Sequence, residues 1–490
     1  MTALMVQGTS SSAGKSLIAT ALCRHFARRG VRVAPFKGQN MSNNARVVAG
    51  GEIGTAQYLQ ALAARAEPDL RMNPVLVKPE ADMRSQVVVG GAVDHELSAR
   101  PWRERAPDLW PAIAESLASL LEDYQLVVME GAGSPAEINL ADCDMTNLRA
   151  AAAADAPVLL VCDIDRGGAF AHLYGTWALL ASEDRERVAG FVLNKFRGDP
   201  ALLAGAPERL TELTGVPLAG VVPWLDHGLP DEDGVTEPRR EAVAVLAPGA
   251  RSAGTQPTAA ARPVVAVIAY PTASNLDELR PLEQVAELRF TRRPIDLDGA
   301  DLVVLPGSKH VAADLSWLRA AGFAERLRSR VCAGGRVLGI CGGLQMLGRE
   351  LRDPVGVDGD ASGLGLLPLI TTFEREKLVR RGEIRLSPAL PEPWAALGGL
   401  ELGGYEIRHG RTVATDPVKK VLPDGRGWAR GSVLGVTIHG LLESPAVVAA
   451  LLGEAPPRSL DTAIDELTDG VMAALDVEHV ERLAGVGAWR

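Results

Sequence analysis

The run Gly8-Thr-Ser-Ser-Ser-Ala-Gly-Lys15-Ser16 lies directly between an apolar segment, residues 4–7, and a segment of helical character, residues 15–29. No other feature of the chain restricts its fold as strongly. A glycine-rich turn between a strand and a helix points backbone N–H groups into a concavity. The helix N-terminus adds the positive end of its dipole, and together they hold phosphate groups. Gly8, Thr9 and Gly14 shape the loop, Lys15 reaches toward the outer phosphates, and the Ser16 hydroxyl is placed for Mg²⁺. Five residues separate Gly8 from Gly14, one more than in the standard motif. A loop of this kind sits at the carboxyl end of a strand in an open α/β sheet.

The surrounding pattern agrees. Residues 31–36, 126–129, 157–163 and 188–193 are short apolar runs that read as buried strands, and residues 53–65 read as a helix. Continuous apolar strands separated by helices predict a mostly parallel sheet covered on both faces. Two further candidates fall at strand ends. Glu130 closes the 126–129 run and precedes Gly131-Ala-Gly, a position suited to organising Mg²⁺ beside the phosphate loop. Asn194 closes another run, where its amide is placed to meet a purine edge.

Composition changes over residues 237–263, which are rich in Pro, Gly, Ala and Ser and read as a linker between a first domain, 1–236, and a second, 264–455. In the second domain residues 264–269, 302–305, 337–340 and 433–438 read as strands, and 312–328 and 342–351 as helices. This predicts another α/β domain. Residues 456–490 form a tail with Leu460, Ile464, Leu467 and Val471 at helical spacing, expected to pack on the second domain.

The second domain carries its own chemistry. Gly339-Ile-Cys341-Gly-Gly343 is a nucleophile elbow with Cys in place of Ser. Small neighbours permit the tight strand-to-helix turn, and the helix N-terminus favours thiolate. The Gly342 N–H is a candidate oxyanion donor, with Gly307 in Leu305-Pro-Gly-Ser-Lys as a second. His439, at the end of a late apolar strand, is the candidate base for Cys341, and His409 is its competitor.

A net charge of −10 without a basic stripe argues against non-specific nucleic-acid binding. The five cysteines show no CxxC spacing, which argues against a zinc ribbon or disulfide framework. No apolar run approaches the ~20 residues needed to span a bilayer. The N-terminal residues do not read as a signal peptide. A reduced, cytoplasmic enzyme is expected, with no membrane partner.

The chain resembles the cobyric acid synthase family over nearly its full length. The resemblance is carried by Gly8–Ser16, Pro35-Phe-Lys-Gly-Gln-Asn-Met-Ser-Asn-Asn44, Met72-Asn-Pro-Val-Leu-Val-Lys-Pro79, Glu130-Gly-Ala-Gly-Ser-Pro, Asp163-Ile-Asp-Arg-Gly-Gly, Leu305-Pro-Gly-Ser-Lys, Gly339-Ile-Cys-Gly-Gly-Leu-Gln-Met-Leu and Gly404-Tyr-Glu-Ile. The Pro35–Asn44 and Met72–Pro79 segments are the most specific. The first domain is similar to the dethiobiotin synthetase group, whose members phosphorylate a carboxylate, and the second to class I glutamine amidotransferases.

The resemblance implies a ligase that uses ATP, Mg²⁺ and L-glutamine to amidate a corrinoid polycarboxylate. Cobalt would enter only within that substrate. It assigns Lys37 to the transferring phosphoryl group or the substrate carboxylate, Asn40, Asn43, Asn44 and Lys78 to the polyacid, and Gln345 to the glutamine pocket with Gly307 and Gly342. The amidotransferase class usually has a Glu two residues after its His. Here that position is Leu441, with Glu443 four residues after His439, so a Cys–His dyad is expected and the third member stays open. The competing readings are cobyrinic acid a,c-diamide synthase and, from another class, a positioning or partition ATPase switch. The latter carries a signature Lys where this chain has Ser10 and has no use for the Cys341 elbow.

Overall fold

A computed structural model describes residues 2–81, 84–229 and 262–485. The chain divides into two compact units, one built from the residues up to 232 together with those from 458 onward, the other from residues 233–457. Most of the 237–263 linker expected from composition lies outside the described residues.

In the first unit β1 (Thr2–Gly8), β2 (Val33–Phe36), β3 (Leu126–Glu130), β4 (Val158–Asp163), β5 (Val188–Phe196) and β6 (Leu218–Pro223) form one sheet in the order β6-β5-β4-β1-β3-β2. All pairs are parallel. Apolar side chains on both faces of β1, β3 and β4 are buried, which is why these runs are continuous rather than alternating. β1 is flanked by β3 and β4, so the phosphate loop at its carboxyl end has Glu130 on one side and Asp163 on the other.

Beside this sheet lies a smaller one of Gln39–Met41, Val75–Ala81, Arg84–Val89 and Ala92–Asp94. Next to it Ala45–Val48 and Gly51–Gly54 form a hairpin. The helix expected over 53–65 therefore starts two residues later, as Thr55–Ala63. Ile53 and Gly54 are claimed by hairpin pairing with Arg46 and Ala45, a demand that the helical periodicity does not reveal.

The tail corrects a second expectation. It packs on the first unit, as helices Leu460–Met472 and Val477–Leu483. Ile464, Leu467 and Val471 join the core made by Leu4, Ile18, Leu22 and Phe26. Arg24, 1% exposed, bonds Asp461 and Asp465, and Arg28 bonds Asp465 and Asp469. Thr2 Oγ1 donates to Ala484 O at 2.7 Å. Helical spacing shows that the tail has an apolar face but not which core covers it. The acids at 461, 465 and 469, matching arginines at 24 and 28, are the signal that chooses.

In the second unit β7 (Val264–Ile268), β8 (Glu287–Thr291), β9 (Leu302–Leu305) and β10 (Arg336–Ile340) precede a long antiparallel hairpin, β11 (Leu369–Arg385) and β12 (Glu401–Ala414). Then come β13 (Lys419–Lys420), β14 (Gly427–Arg430) and β15 (Val433–Val436). The main sheet runs β8-β7-β9-β10-β15-β14-β13. It is parallel from β8 to β15 and antiparallel beyond. The helix expected over 312–328 is two helices, Val311–Ala320 and Phe323–Cys332, broken at Gly322, whose φ of 84° favours glycine. The one expected over 342–351 stops at Leu347, and Leu351 lies in the strand Glu350–Arg352.

Candidate active site

Two sites form, one in each unit. In the first, Gly8 ends β1, the loop turns, and the helix Lys15–Arg28 begins. Gly14 holds φ 102°, and a Cβ there would lie 1.9 Å from Asn194 Nδ2, so both backbone angle and space demand glycine. Asn194 Nδ2 donates to Ala13 O at 2.9 Å, and Thr9 N donates to Val161 O at 2.9 Å. Lys15 Nζ donates to Ser10 O at 3.0 Å and Gly133 O at 3.1 Å.

Glu130 is the hub of this site. Its Oε1 accepts from Ser16 Oγ at 2.8 Å and Lys37 Nζ at 2.9 Å, and its Oε2 from Gln60 Nε2. Glu130 and Lys37 are both buried. A carboxylate and a hydroxyl this close are the hard oxygen donors that Mg²⁺ takes, so Ser16 and Glu130 fit that ion.

The remaining substrate candidates do not bond Glu130, whose partners among the described residues are Ser16, Lys37 and Gln60. Asn40 Nδ2 donates to Gln57 Oε1 at 2.9 Å, and Asn44 N donates to Ser42 Oγ at 3.0 Å. Asn43 Oδ1 is buried without a hydrogen-bond partner among the described residues. Lys78 forms a buried ion pair with Glu52. Sequence reasoning missed Gln60, Lys195 and Asp163. Lys195 Nζ donates to Ser12 O at 2.7 Å and Asp163 Oδ2 at 2.8 Å, tying the phosphate loop to β4. Asp163 ends β4 and opens Asp163-Ile-Asp-Arg-Gly-Gly, and that position is the signal for it.

In the second unit Cys341 stands between β10 and the helix Gly342–Leu347, with φ 50° and ψ −105°. This strained backbone is what an elbow uses to present its nucleophile. The glycines around it are obligatory for space. A Cβ at Gly343 would meet Leu305 O at 2.0 Å, and one at Gly342 would meet Ser308 Cβ at 2.7 Å. The thiol lies within electrostatic reach of His439, just beyond β15.

His439 is fixed on three sides. Its Nδ1 meets Glu278 Oε1 at 2.7 Å, leaving Nε2 for Cys341. The Tyr405 ring stacks on it with centroids 5.2 Å apart. Gly307 lies beneath, where a Cβ would sit 3.1 Å from His439 Cε1. Burial alone would push the imidazolium down, but the charges of Glu278 and Cys341 overcome it and hold His439 up at about 10. Burial likewise opposes the thiolate, yet His439, Arg408 and Lys309 draw Cys341 below its ordinary value.

Gln345 is buried one turn into the elbow helix, its amide against Gly410. His409, the competing base, bonds Glu374 O through Nδ1 on the β11–β12 hairpin. Leu441 is buried, and the carboxylate at His439 comes from Glu278 rather than Glu443.

Family models match on either side of this division. The CobQ/CobB/MinD/ParA nucleotide binding domain spans residues 4–230, and the CobB/CobQ-like glutamine amidotransferase domain spans residues 264–447. A cobyric acid synthase from Polaromonas sp. (strain JS666 / ATCC BAA-500) is 55% identical over 483 residues, with 95% of each chain covered. The chain belongs to the cobyric acid synthase family.

Another cobyric acid synthase, from Variovorax paradoxus (strain S110), is 54% identical over 95% of this chain and 96% of its own. A crystal structure of a glutamine amidotransferase aligns with 39% of this chain and 99% of its own, at 23% identity and a TM-score of 0.30. As expected of the cobyric acid synthase family, a P-loop nucleotide-binding domain is joined to a glutamine amidotransferase domain, both α/β. Among the described residues no helix is long and apolar enough to cross a membrane.

Proposed function

We propose that the enzyme uses glutamine and ATP to convert the b, d, e and g carboxylates of adenosylcobyrinic acid a,c-diamide to amides, giving adenosylcobyric acid. The observation that carries this reading is the pairing, in one chain, of the Cys341–His439 dyad with the Lys15–Ser16–Glu130–Lys37 cluster. Cys341 Sγ attacks the side-chain amide carbon of glutamine while the His439 imidazolium delivers its proton to the departing nitrogen. Ammonia leaves, and water then cleaves the thioester to glutamate. The Gly342 N–H stabilises the oxyanion, with Gly307 supplying a second donor and Gln345 lining the pocket.

In the first unit the phosphate loop, with Gly8, Thr9, Gly14 and Lys15, holds ATP, and Asn194 faces its base. A corrinoid carboxylate oxygen attacks the γ-phosphorus and ADP departs. Ammonia then displaces phosphate from the acyl phosphate. Activation is needed because a free carboxylate is a poor acyl donor. Lys15 and Lys37 supply positive charge where it builds on the transferring group. Mg²⁺, held by Ser16 and Glu130, would add charge neutralisation at the phosphates. Asn40, Asn43, Asn44 and Lys78 hold the polyacid. The same reading assigns the reaction to the cytoplasm.

Mass spectrometry of adenosylcobyrinic acid a,c-diamide incubated with enzyme, glutamine, ATP and Mg²⁺ tests this. Stepwise appearance of four amides is expected. An unchanged substrate, with folded and glutaminase-competent enzyme, would refute the assigned acceptor.

A further inference from the structure

We infer that Glu278 is the third member of the amidotransferase site, a positioning residue that sets the tautomer and charge of His439. The inference rests on the amidotransferase reading of Cys341 and His439. It comes from a part of the chain where no motif announced it: Glu278 lies 161 residues before His439, on the short turn Leu276–Leu279 that follows β7.

The geometry is that of an orienting carboxylate. Oε1 meets His439 Nδ1 at 2.7 Å, and Oε2 accepts from Gly440 N at 2.9 Å. Both oxygens are thus directed at one two-residue segment, and the side chains of Glu278 and His439 are each 1% exposed. A carboxylate taken so far out of water is costly unless paired, and here its partner is the base itself. With Nδ1–H held by Glu278, Nε2 is turned to the Cys341 thiol, as nucleophile–base–orienter logic requires.

The turn that carries Glu278 is tied to the strand end that carries His439. Asn275, at φ 56° and ψ 38°, begins the turn, and its Nδ2 donates to Tyr405 Oη at 2.9 Å. Tyr405 and His439 exchange backbone hydrogen bonds of 3.2 and 2.8 Å, and their rings stack. One tyrosine therefore braces both the imidazole and the segment that supplies its carboxylate. The position two residues after His439 is Leu441, whose side chain lies in the core, so it supplies no carboxylate.

Among the described residues, the charged and titratable groups that bear on the pair include Glu278 from the turn, Cys341 from the elbow, Tyr405 from β12, and Arg408, Lys309 and Tyr270, which act on the thiolate. Removing the Glu278 charge weakens the imidazolium, and a weaker imidazolium supports less thiolate.

The test uses the full-length enzyme carrying Glu278→Gln or Glu278→Asp, with glutamine hydrolysis measured apart from corrinoid amidation. Glu278→Gln should lower kcat by at least about 10²-fold with KM within about threefold. The midpoint of iodoacetamide inactivation of Cys341 should move to higher pH. Glu278→Asp should recover at least tenfold of the lost kcat, while ammonium-dependent synthesis stays at the wild-type level in both variants. In the unsubstituted enzyme, nitrogen-15 spectra should show His439 protonated at Nδ1 with a downfield proton, a readout that does not depend on any variant folding. A Glu278→Gln enzyme within threefold of wild type, an unmoved inactivation midpoint, or an Nδ1 without its proton would each overturn the inference. A wild-type enzyme unable to hydrolyse glutamine would instead overturn the amidotransferase reading on which it rests.

Discussion

The two sites hold their charges in opposite ways. In the amidotransferase unit Cys341, His439 and Glu278 already stand in working order, with the nucleophile on a strained elbow and the base clamped between a carboxylate and a tyrosine ring. In the nucleotide unit the same kinds of groups are spent on one another. Lys37 and Ser16 occupy Glu130, Lys15 bonds the carbonyls of Ser10 and Gly133, and Lys195 joins Ser12 to Asp163. Covalent catalysis needs a preset nucleophile, whereas a phosphate site needs cations that stay compensated until an anion arrives. The first site is built before its substrate comes; the second has internal bonds to exchange for ligand bonds.

Substitutions can break this contrast in order of severity. Cys341→Ala should reduce glutamine-dependent synthesis by at least about 10⁴-fold while leaving ammonium-dependent synthesis intact, measured by ADP release with each nitrogen source. Lys15→Ala should cost roughly 10²–10³-fold in synthesis with either source, yet spare glutamine hydrolysis. If glutaminase activity fell in parallel, the two sites would not be separable as described.

Smaller effects sharpen the picture. Arg24→Met removes the buried cation that faces Asp461 and Asp465. Because Asp461 is 68% exposed and water already screens it, the loss should be about 2 kcal/mol, read as a lower unfolding midpoint for the first unit alone. The mildest test is pH. His439 is held at about 10 against an ordinary 6.5, so the stability its charge contributes is complete below about pH 6.5 and is lost as pH rises through 10. Cys341 is drawn below 9.0, so iodoacetamide should alkylate it at a pH where an ordinary thiol is still protonated. His439→Ala should shift that profile upward.

The same contrast explains what could be read before the fold was known. Gly8–Ser16 and Gly339–Gly343 are local: each packs a strand end, a turn and a helix start into a few residues whose types are dictated by space and backbone angle. Glu130 was legible because it ends an apolar run beside glycines. Glu278 was not, since an acid in Asn-Leu-Asp-Glu-Leu looks like any solvated turn until β7 and β15 are laid in one sheet. Gln60 was hidden for a related reason: it sits in the helix Thr55–Ala63 and acquires meaning only through Glu130, 70 residues away. The placement of the tail failed at the same level, where periodicity names a face without naming its partner.

The return of residues 460–483 to the helix Lys15–Arg28 has a consequence for how the protein is made. A ribosome delivers the phosphate loop, Glu130 and Asn194 early, but the apolar face of that helix keeps Ile18, Leu22 and Phe26 waiting until Ile464, Leu467 and Val471 emerge. The inserted unit can finish folding first, as domains generally fold as units during synthesis. A message broken between the two units, or a chain stalled near residue 457, would thus yield every nucleotide-binding motif on an unfinished core. Helices made late thus complete the core beneath a site whose motifs are made early.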